Sequence, residues 1–440
     1  MIERKKELYS KICAASGISF VAGGASDKTT RLTENKFSSS LAIILAKDKE
    51  VVAVMLKVSV NGCNVYIAKN DKWLEDDVIY IGRIENCLKT LSETAPISLK
   101  VAAKNDVVMD LSSEVMMYCT TKLESRFNKL KADIKHGQHK YIKSFIEYAS
   151  IDIKNMDKID IYDLSITCCR YYKNQGEQFK NLEDPATPRY LKKFLGHVKK
   201  VGSYYGSLNR IISYACNAKY KILFSHLEVI LLEPTMTEQS IISWENVIKK
   251  FITDHKEYEN FKEACLSNNK KKDNLRNVYG RNMQLDSTDI KQTVKLHAEM
   301  NILINVLINK EDKSRAFIAV SKKCCYLCEL YIRFARTKGY VIDISGTHRK
   351  IYHLWKFPDA NNAIFYDESL SYMIKNLNRI IRDETKNFTE EMASSDREAE
   401  TCQDIEDKDL FEYEDNLNEE EENELVMLGL TLLLEIKYLE

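Results

Sequence analysis

The sequence predicts an α/β (α+β) protein that is mostly helical. Three observations lead to that class. Only five prolines and fourteen glycines punctuate 440 residues, which leaves long stretches free to be helical. A helix–strand–helix pattern runs from residue 297 to Gly339. Far upstream, an Asn61-Gly62 pair separates two β-branched runs, the mark of a tight hairpin.

Taken in order, the N-terminus (MIERKKELYSKICAASG) has no long apolar stretch of the kind that opens a Sec signal peptide. Ser39 to Lys47 (SSLAIILAK) reads as the end of a helix over 30–47. Val51–Val58 and Cys63–Asn70 read as the two strands of a hairpin. Segments 111–150, 188–216 and 241–266 carry apolar residues at helical spacing. Within the second, Tyr190, Lys192, Lys193, His197, Lys199, Lys200, Tyr204, Tyr205 and Arg210 interleave rings and cations. That pattern fits a nucleic-acid surface or an amphipathic helix with tyrosines inward and lysines outward. Lys270-Lys271-Lys272 lies in a polar stretch and reads as a loop.

The helix–strand–helix segment carries the chemistry. Met300 to Leu307 (MNILINVL) reads as a buried helix beginning at His297. Arg315 to Val320 (RAFIAV) reads as a buried strand and Ser321-Lys322-Lys323 as a turn. Cys325 opens a second helix that stops at Gly339. The motif His-x-Glu occurs three times, at His226, His255 and His297, but only the third precedes the chain's single Cys-x-x-Cys, Cys325 to Cys328. One histidine and two cysteines form a three-ligand zinc set, at the start of two helices whose dipoles favour thiolates. Glu299, beside the histidine, is placed to move protons for an activated water. Two other readings stay open: a closed structural zinc site completed by Cys324 or His348, and a redox Cys-x-x-Cys.

The string Ser321-Lys322-x-x-Cys325-Tyr326-Leu327-Cys328, followed by Gly346-x-His348 and Trp355-x-x-Pro358, resembles the cytidine deaminase-like superfamily. It is most similar to the OTT-type deaminases of fungi and intracellular bacteria. The resemblance covers about residues 290–360. It implies a three-layer α/β/α sheet, zinc at His297, Cys325 and Cys328, and Glu299 as proton shuttle in hydrolytic deamination of cytosine or adenine. Many relatives carry a proline before the first cysteine; this chain has Cys324, whose thiol competes for the metal. The resemblance also implies, for bacterial members, secreted toxins or effectors that act on nucleic acid.

Since 271–290 is too polar and short to supply a hairpin, the sheet's first elements are expected upstream. The expected organisation is 1–74 as first helix and hairpin (or a separate N-terminal α/β domain), and 75–285 as an all-helical insertion or extra domain. The zinc core then occupies 286–385, an acidic disordered linker 386–425 and a short apolar helix 426–440. In that arrangement Asn70 leaves the second strand near the site and is a candidate substrate contact, or else an ordinary loop residue. His348, in the turn after the predicted strand Tyr340–Ser345, is a second candidate. Trp355 is a third, as a base-stacking ring or a core tryptophan.

Net charge is zero but unevenly placed. Residues 383–425 hold 19 acidic and 3 basic residues, net −16, and 426–440 add −1, which leaves +17 on 1–382. A basic body suits a nucleic acid or nucleotide substrate, or is simply a solvated lysine-rich surface. Twelve scattered cysteines do not form a disulfide framework and suit a reducing, cytoplasmic compartment, with specialised secretion into a host left open. No apolar run reaches the roughly 18 residues a transmembrane helix needs. The helical region and the C-terminal helix are candidate surfaces for a protein partner. Two further functions stay open: a non-enzymatic, zinc-stabilised interaction protein, and a free-nucleotide salvage deaminase.

Overall fold

The computed structural model describes residues 2–19, 35–60, 62–137, 139–174, 189–280, 283, 285–286 and 290–394. The principal elements are α1 (Ile2–Ile18), α2 (Asn35–Ile44), β1 (Val52–Ser59), β2 (Gly62–Lys69), α3 (Glu75–Thr94), α4 (Asp106–His136) and α5 (Lys140–Tyr148). Then come α6 (Ile161–Asn174), α7 (Arg189–Ala215), β3 (Leu227–Leu232), β4 (Met236–Ile241), α8 (Trp244–Ile248), α9 (His255–Ser267), α10 (Asn269–Tyr279) and β5 (Ile290–Lys295). Last are α11 (Ala298–Ile302) with a π-helical turn at Leu303–Ile308, β6 (Ala316–Val320), α12 (Tyr326–Thr337), β7 (Ile342–Ile344) and α13 (Ala363–Ser394). The protein is mostly helical around a mixed five-stranded sheet of order β3-β2-β1-β6-β7. Among the described residues no helix is long and apolar enough to cross a membrane.

The chain packs as two units. One takes α1, Glu233–Ile318 and the chain from Lys322 through α13; the other takes α2 through Leu232 with Ala319–Ser321. One boundary between the packing units falls at Leu232/Glu233.

In the second unit the expected hairpin forms, with β1 and β2 antiparallel in a register that pairs Ser59 with Gly62. The turn thus falls one residue earlier than the Asn61-Gly62 reading places it, and Asn61 itself lies outside the described residues. Gly62 is instead the first residue of β2. A Cβ there would meet the His226 carbonyl at 2.3 Å, so its glycine serves the close approach of the chain entering β3. The segment expected to be all helical also carries strands. β3 pairs parallel with β2, and β4 pairs antiparallel with β5 in the other unit. The apolar run Leu227-Glu228-Val229-Ile230-Leu231-Leu232 before Pro234 is the sequence signal for β3. On the inner side of the hairpin, β1 pairs antiparallel with the end of β6, Ala53 with Val320 and Val54 with Ala319. Ser321 locks that junction, its Oγ accepting the Val52 N–H at 3.0 Å and its N–H donating to the Val52 carbonyl at 2.8 Å.

The helical core of this unit follows from spacing. Cys119, Leu123, Phe127, Leu130 and Ile134 repeat every three or four residues along α4 and pack with Phe145, Leu164, Cys168, Phe194 and Val198. Of the interleaved segment, Tyr204 is fully buried while Tyr190 is half exposed.

A buried ion cluster lies where β2 meets α3. Asp77, fully buried in the first turn of α3, accepts from Lys69 at 2.5 Å, from Lys47 at 2.6 Å and from the Tyr118 hydroxyl at 2.9 Å. It also accepts the Leu74 N–H at 3.0 Å, closing the helix start. Lys69 reaches Glu50 at 3.0 Å as well.

In the first unit, α1 packs along α13 and also against α10, β4 and α8, burying Leu8 through Ile18. The triple lysine expected in a loop is helical, in the first turn of α10. Asn268 caps that helix by accepting the Lys271 N–H at 3.0 Å, and Leu275, Val278 and Tyr279 supply the buried face. Segment 241–266 breaks into α8 and α9. α13 continues to Ser394, so the first nine residues assigned to the acidic linker are helical. The rest of that linker and the apolar segment 426–440 lie outside the described residues.

Candidate metal centre

β5 delivers the chain to His297, which sits at the N-terminus of α11 in an extended conformation. The approach is fixed by the Lys295 N–H donating to the Leu354 carbonyl at 2.8 Å and the Leu296 N–H donating to the Thr235 carbonyl at 2.9 Å. The Asn301 N–H closes the first turn on the His297 carbonyl at 2.9 Å. The second helix starts the same way. Cys325 is the N-cap of α12, its Sγ accepting the Cys328 N–H at 3.4 Å. The preceding Cys324 is stitched into the turn after β7, its N–H donating to the Gly346 carbonyl at 2.9 Å and its carbonyl accepting the His348 N–H at 3.0 Å. Gly346 has φ +113, a conformation that other residues rarely adopt.

These two helix starts bring three donors together. His297 Nδ1 lies 3.6 Å from Cys325 Sγ and 3.3 Å from Cys328 Sγ, and the two sulfurs are 3.4 Å apart. Tetrahedral zinc at usual bond lengths sets such donors about 3.6–3.8 Å apart, so the trio is compatible with zinc. Among the described residues it is the one such cluster of metal-binding side chains, and neither Cys324 nor His348 belongs to it. Electrostatics agree with the geometry. Burial would lower His297, but the Cys325 thiolate beside it pushes the imidazole up to about 9. Burial would raise Cys325, but hydrogen bonding from Cys328 and the charge on His297 bring it down to about 6. Burial, with the neighbouring Cys325 thiolate, raises Cys328 well above the ordinary thiol value.

Glu299, in the first turn of α11, is buried at 2% exposure, and its Oε1 is 4.0 Å from His297 Nδ1. Its Oε2 is buried without a hydrogen-bond partner. A desolvated carboxylate oxygen left bare is costly, and a structural metal site has no use for one. Burial, with Glu299 and Cys325 beside it, holds the Cys324 thiol protonated, well above the ordinary thiol value. Such a thiol is a poor competitor for the metal.

The other candidate residues fall in different places. Trp355 is fully buried, and its indole N–H donates to Cys328 Sγ at 3.2 Å. No face of the ring is open to stack on a base; the indole instead fixes the position of the Cys328 sulfur. We predict that Trp355→Phe weakens zinc affinity by about 10- to 100-fold, as outer-shell losses do, measured by competition with a chelator. Unchanged affinity would mean that the contact is packing alone. His348 is half-buried, its Nδ1 accepting the Lys350 N–H at 3.0 Å. Asn70 lies in the second unit. Its amide oxygen accepts the Val51 N–H at 2.8 Å and its own N–H donates to the Val51 carbonyl at 3.1 Å, which closes the open end of the hairpin.

Sequence reasoning passed over Tyr352. Its ring, 39% exposed, stands edge-on to His297 at 6.0 Å and to His348 at 5.6 Å. An exposed aromatic between two residues already singled out, His348 and Trp355, was the available signal. It also passed over α1 as a support: the Tyr9 hydroxyl accepts the Phe357 N–H at 3.0 Å, and Ser16 Oγ donates to the Ile351 carbonyl at 3.0 Å.

Compared with known proteins, residues 296–359 match the model of the OTT_1508-like deaminase family. No curated protein and no solved structure matches the chain.

Proposed function

With residues 296–359 matching the OTT_1508-like deaminase family, we propose that this protein is a zinc-dependent hydrolytic deaminase of cytosine or adenine, carried in a nucleic acid or a nucleotide. The observation that carries the reading is the bare, buried Glu299 Oε2 beside a three-donor cluster. Zinc bound by His297, Cys325 and Cys328 would supply a water activated at neutral pH. Glu299, through Oε2, would move a proton from the attacking water to the departing exocyclic amine. The ring carbon gains oxygen, the carbon–nitrogen bond breaks, and ammonia leaves. Trp355 holds Cys328 in place, and the exposed edge of Tyr352 offers the base an aromatic neighbour at the mouth of the site.

The test is nucleoside mass spectrometry after zinc-loaded protein is incubated with pooled single-stranded DNA, RNA and free nucleotides. The expected result is a rise in uridine, deoxyuridine or inosine, which also names the base and its carrier. Absence of every such product would leave the zinc cluster as the scaffold of a non-catalytic interaction protein.

A further inference from the structure

The first unit holds a cleft of about 330 Å³ between α1 and α13, at the lower end of the range that small-molecule sites occupy. The repeat of α13 builds one side. Leu370, Met373, Leu377 and Ile381 are buried, and the adjoining stripe of Ser371, Lys375, Asn378 and Arg382 opens onto the cleft at the same helical spacing. Arg4 and Glu7, one turn apart on α1, form the other side. Arg4 ties the two helices together, pairing with Asp367 and donating to Ser371 Oγ at 2.6 Å.

Two observations point to a ligand. The first is a charge imbalance. Among the described lining residues Glu7 is the one carboxylate, and it is paired with Lys11. Arg4 is paired as well, but Lys375 and Arg382 have neither an acid nor a hydrogen-bond acceptor among the described residues. The second is the Asn378 amide. Its side-chain oxygen is buried and makes no hydrogen bond. Such an atom has given up water for nothing, and a leucine of similar shape would fill its place without that cost. The two cations call for an anion with several acceptor oxygens, which phosphate supplies. They stand seven residues apart, roughly 10.5 Å along the axis, a gap their long stems can close on one group. The amide between them calls for a partner that both donates and accepts, and a sugar hydroxyl does both.

We infer that the α1–α13 cleft binds a sugar phosphate, with the phosphate on Lys375 and Arg382 and a hydroxyl on the Asn378 amide. A sugar phosphate carries no base, so its binding is measured independently of any deamination. Ribose 5-phosphate is titrated into the full chain by isothermal calorimetry at constant ionic strength, with inorganic phosphate as a second probe. The expected result is saturable binding, tighter for ribose 5-phosphate than for inorganic phosphate. Lys375→Gln and Arg382→Gln should each weaken both probes about tenfold, the worth of one charged hydrogen bond. Lys104→Gln, an exposed lysine elsewhere, should change neither. Asn378→Leu separates binding from packing. It should raise the melting temperature of the unliganded chain by removing the bare oxygen, while ribose 5-phosphate loses its advantage over inorganic phosphate. Ribose 5-phosphate that fails to saturate, that binds no better than inorganic phosphate, or that binds the charge variants as it binds the wild type would overturn the site, whatever the enzyme assay shows.

Discussion

Glu299→Gln is expected to lower turnover by about 10²- to 10⁴-fold, the usual worth of a positioned general acid/base, while zinc content stays unchanged. The expectation follows from what each atom touches. The glutamate supplies none of the three clustered donors, so the amide should leave them in place. What changes is Oε2, a buried oxygen with no partner. An amide can occupy that space but cannot accept the water's proton. Parallel zinc analysis and product formation on the same sample separate the two effects. Equal zinc with undiminished turnover would remove Glu299 from the chemistry; lost zinc would make it part of the metal's support.

Asp77→Ala is the largest stability effect expected, about 3–5 kcal/mol, as for removing one partner of a buried ion pair. The loss would strand Lys69, itself 1% exposed, with Glu50 as its remaining partner, would take the carboxylate from Lys47, and would leave the Tyr118 hydroxyl only the longer contact to the Leu45 carbonyl at 3.5 Å. The pH dependence has a fixed sign. Burial would raise Asp77, but hydrogen bonds from Lys47 and Lys69 override it and hold the carboxyl below the usual range. A depressed carboxyl contributes its full stability above the unfolded value of about 3.9 and loses it as pH falls toward the folded one. Urea unfolding at pH 7 should show the full difference between wild type and variant, and the gap should narrow below about pH 4. A difference under about 1 kcal/mol at pH 7, the range of exposed pairs, would contradict a buried cluster.

The three clustered donors were legible because each is local. His297 and Cys325 both follow a strand and open a helix, and Cys328 is one turn on, so pattern and spacing suffice. What escaped the sequence is held by distant partners. β3 is a strand because β2, about 160 residues earlier, offers it an edge. Trp355 looked like a base-stacking candidate because nothing nearby reveals that its N–H meets Cys328. Lys270-Lys271-Lys272 looked like a loop because the face that makes α10 a helix is buried mainly by α1, at the other end of the chain. The hairpin turn slipped by one residue because Asn-Gly satisfies a tight turn in isolation, whereas Gly62 answers to the His226 carbonyl.

The proposed deamination needs a metal centre with three protein ligands and room for water. X-ray absorption at the zinc edge of the loaded full chain tests that directly. The predicted first shell has two sulfurs at about 2.3 Å and two lighter neighbours at about 2.0–2.1 Å, and the sulfur count stays at two in Cys324→Ser. Three sulfurs that fall to two in Cys324→Ser would show a closed site, and the deaminase chemistry assigned to it would not stand.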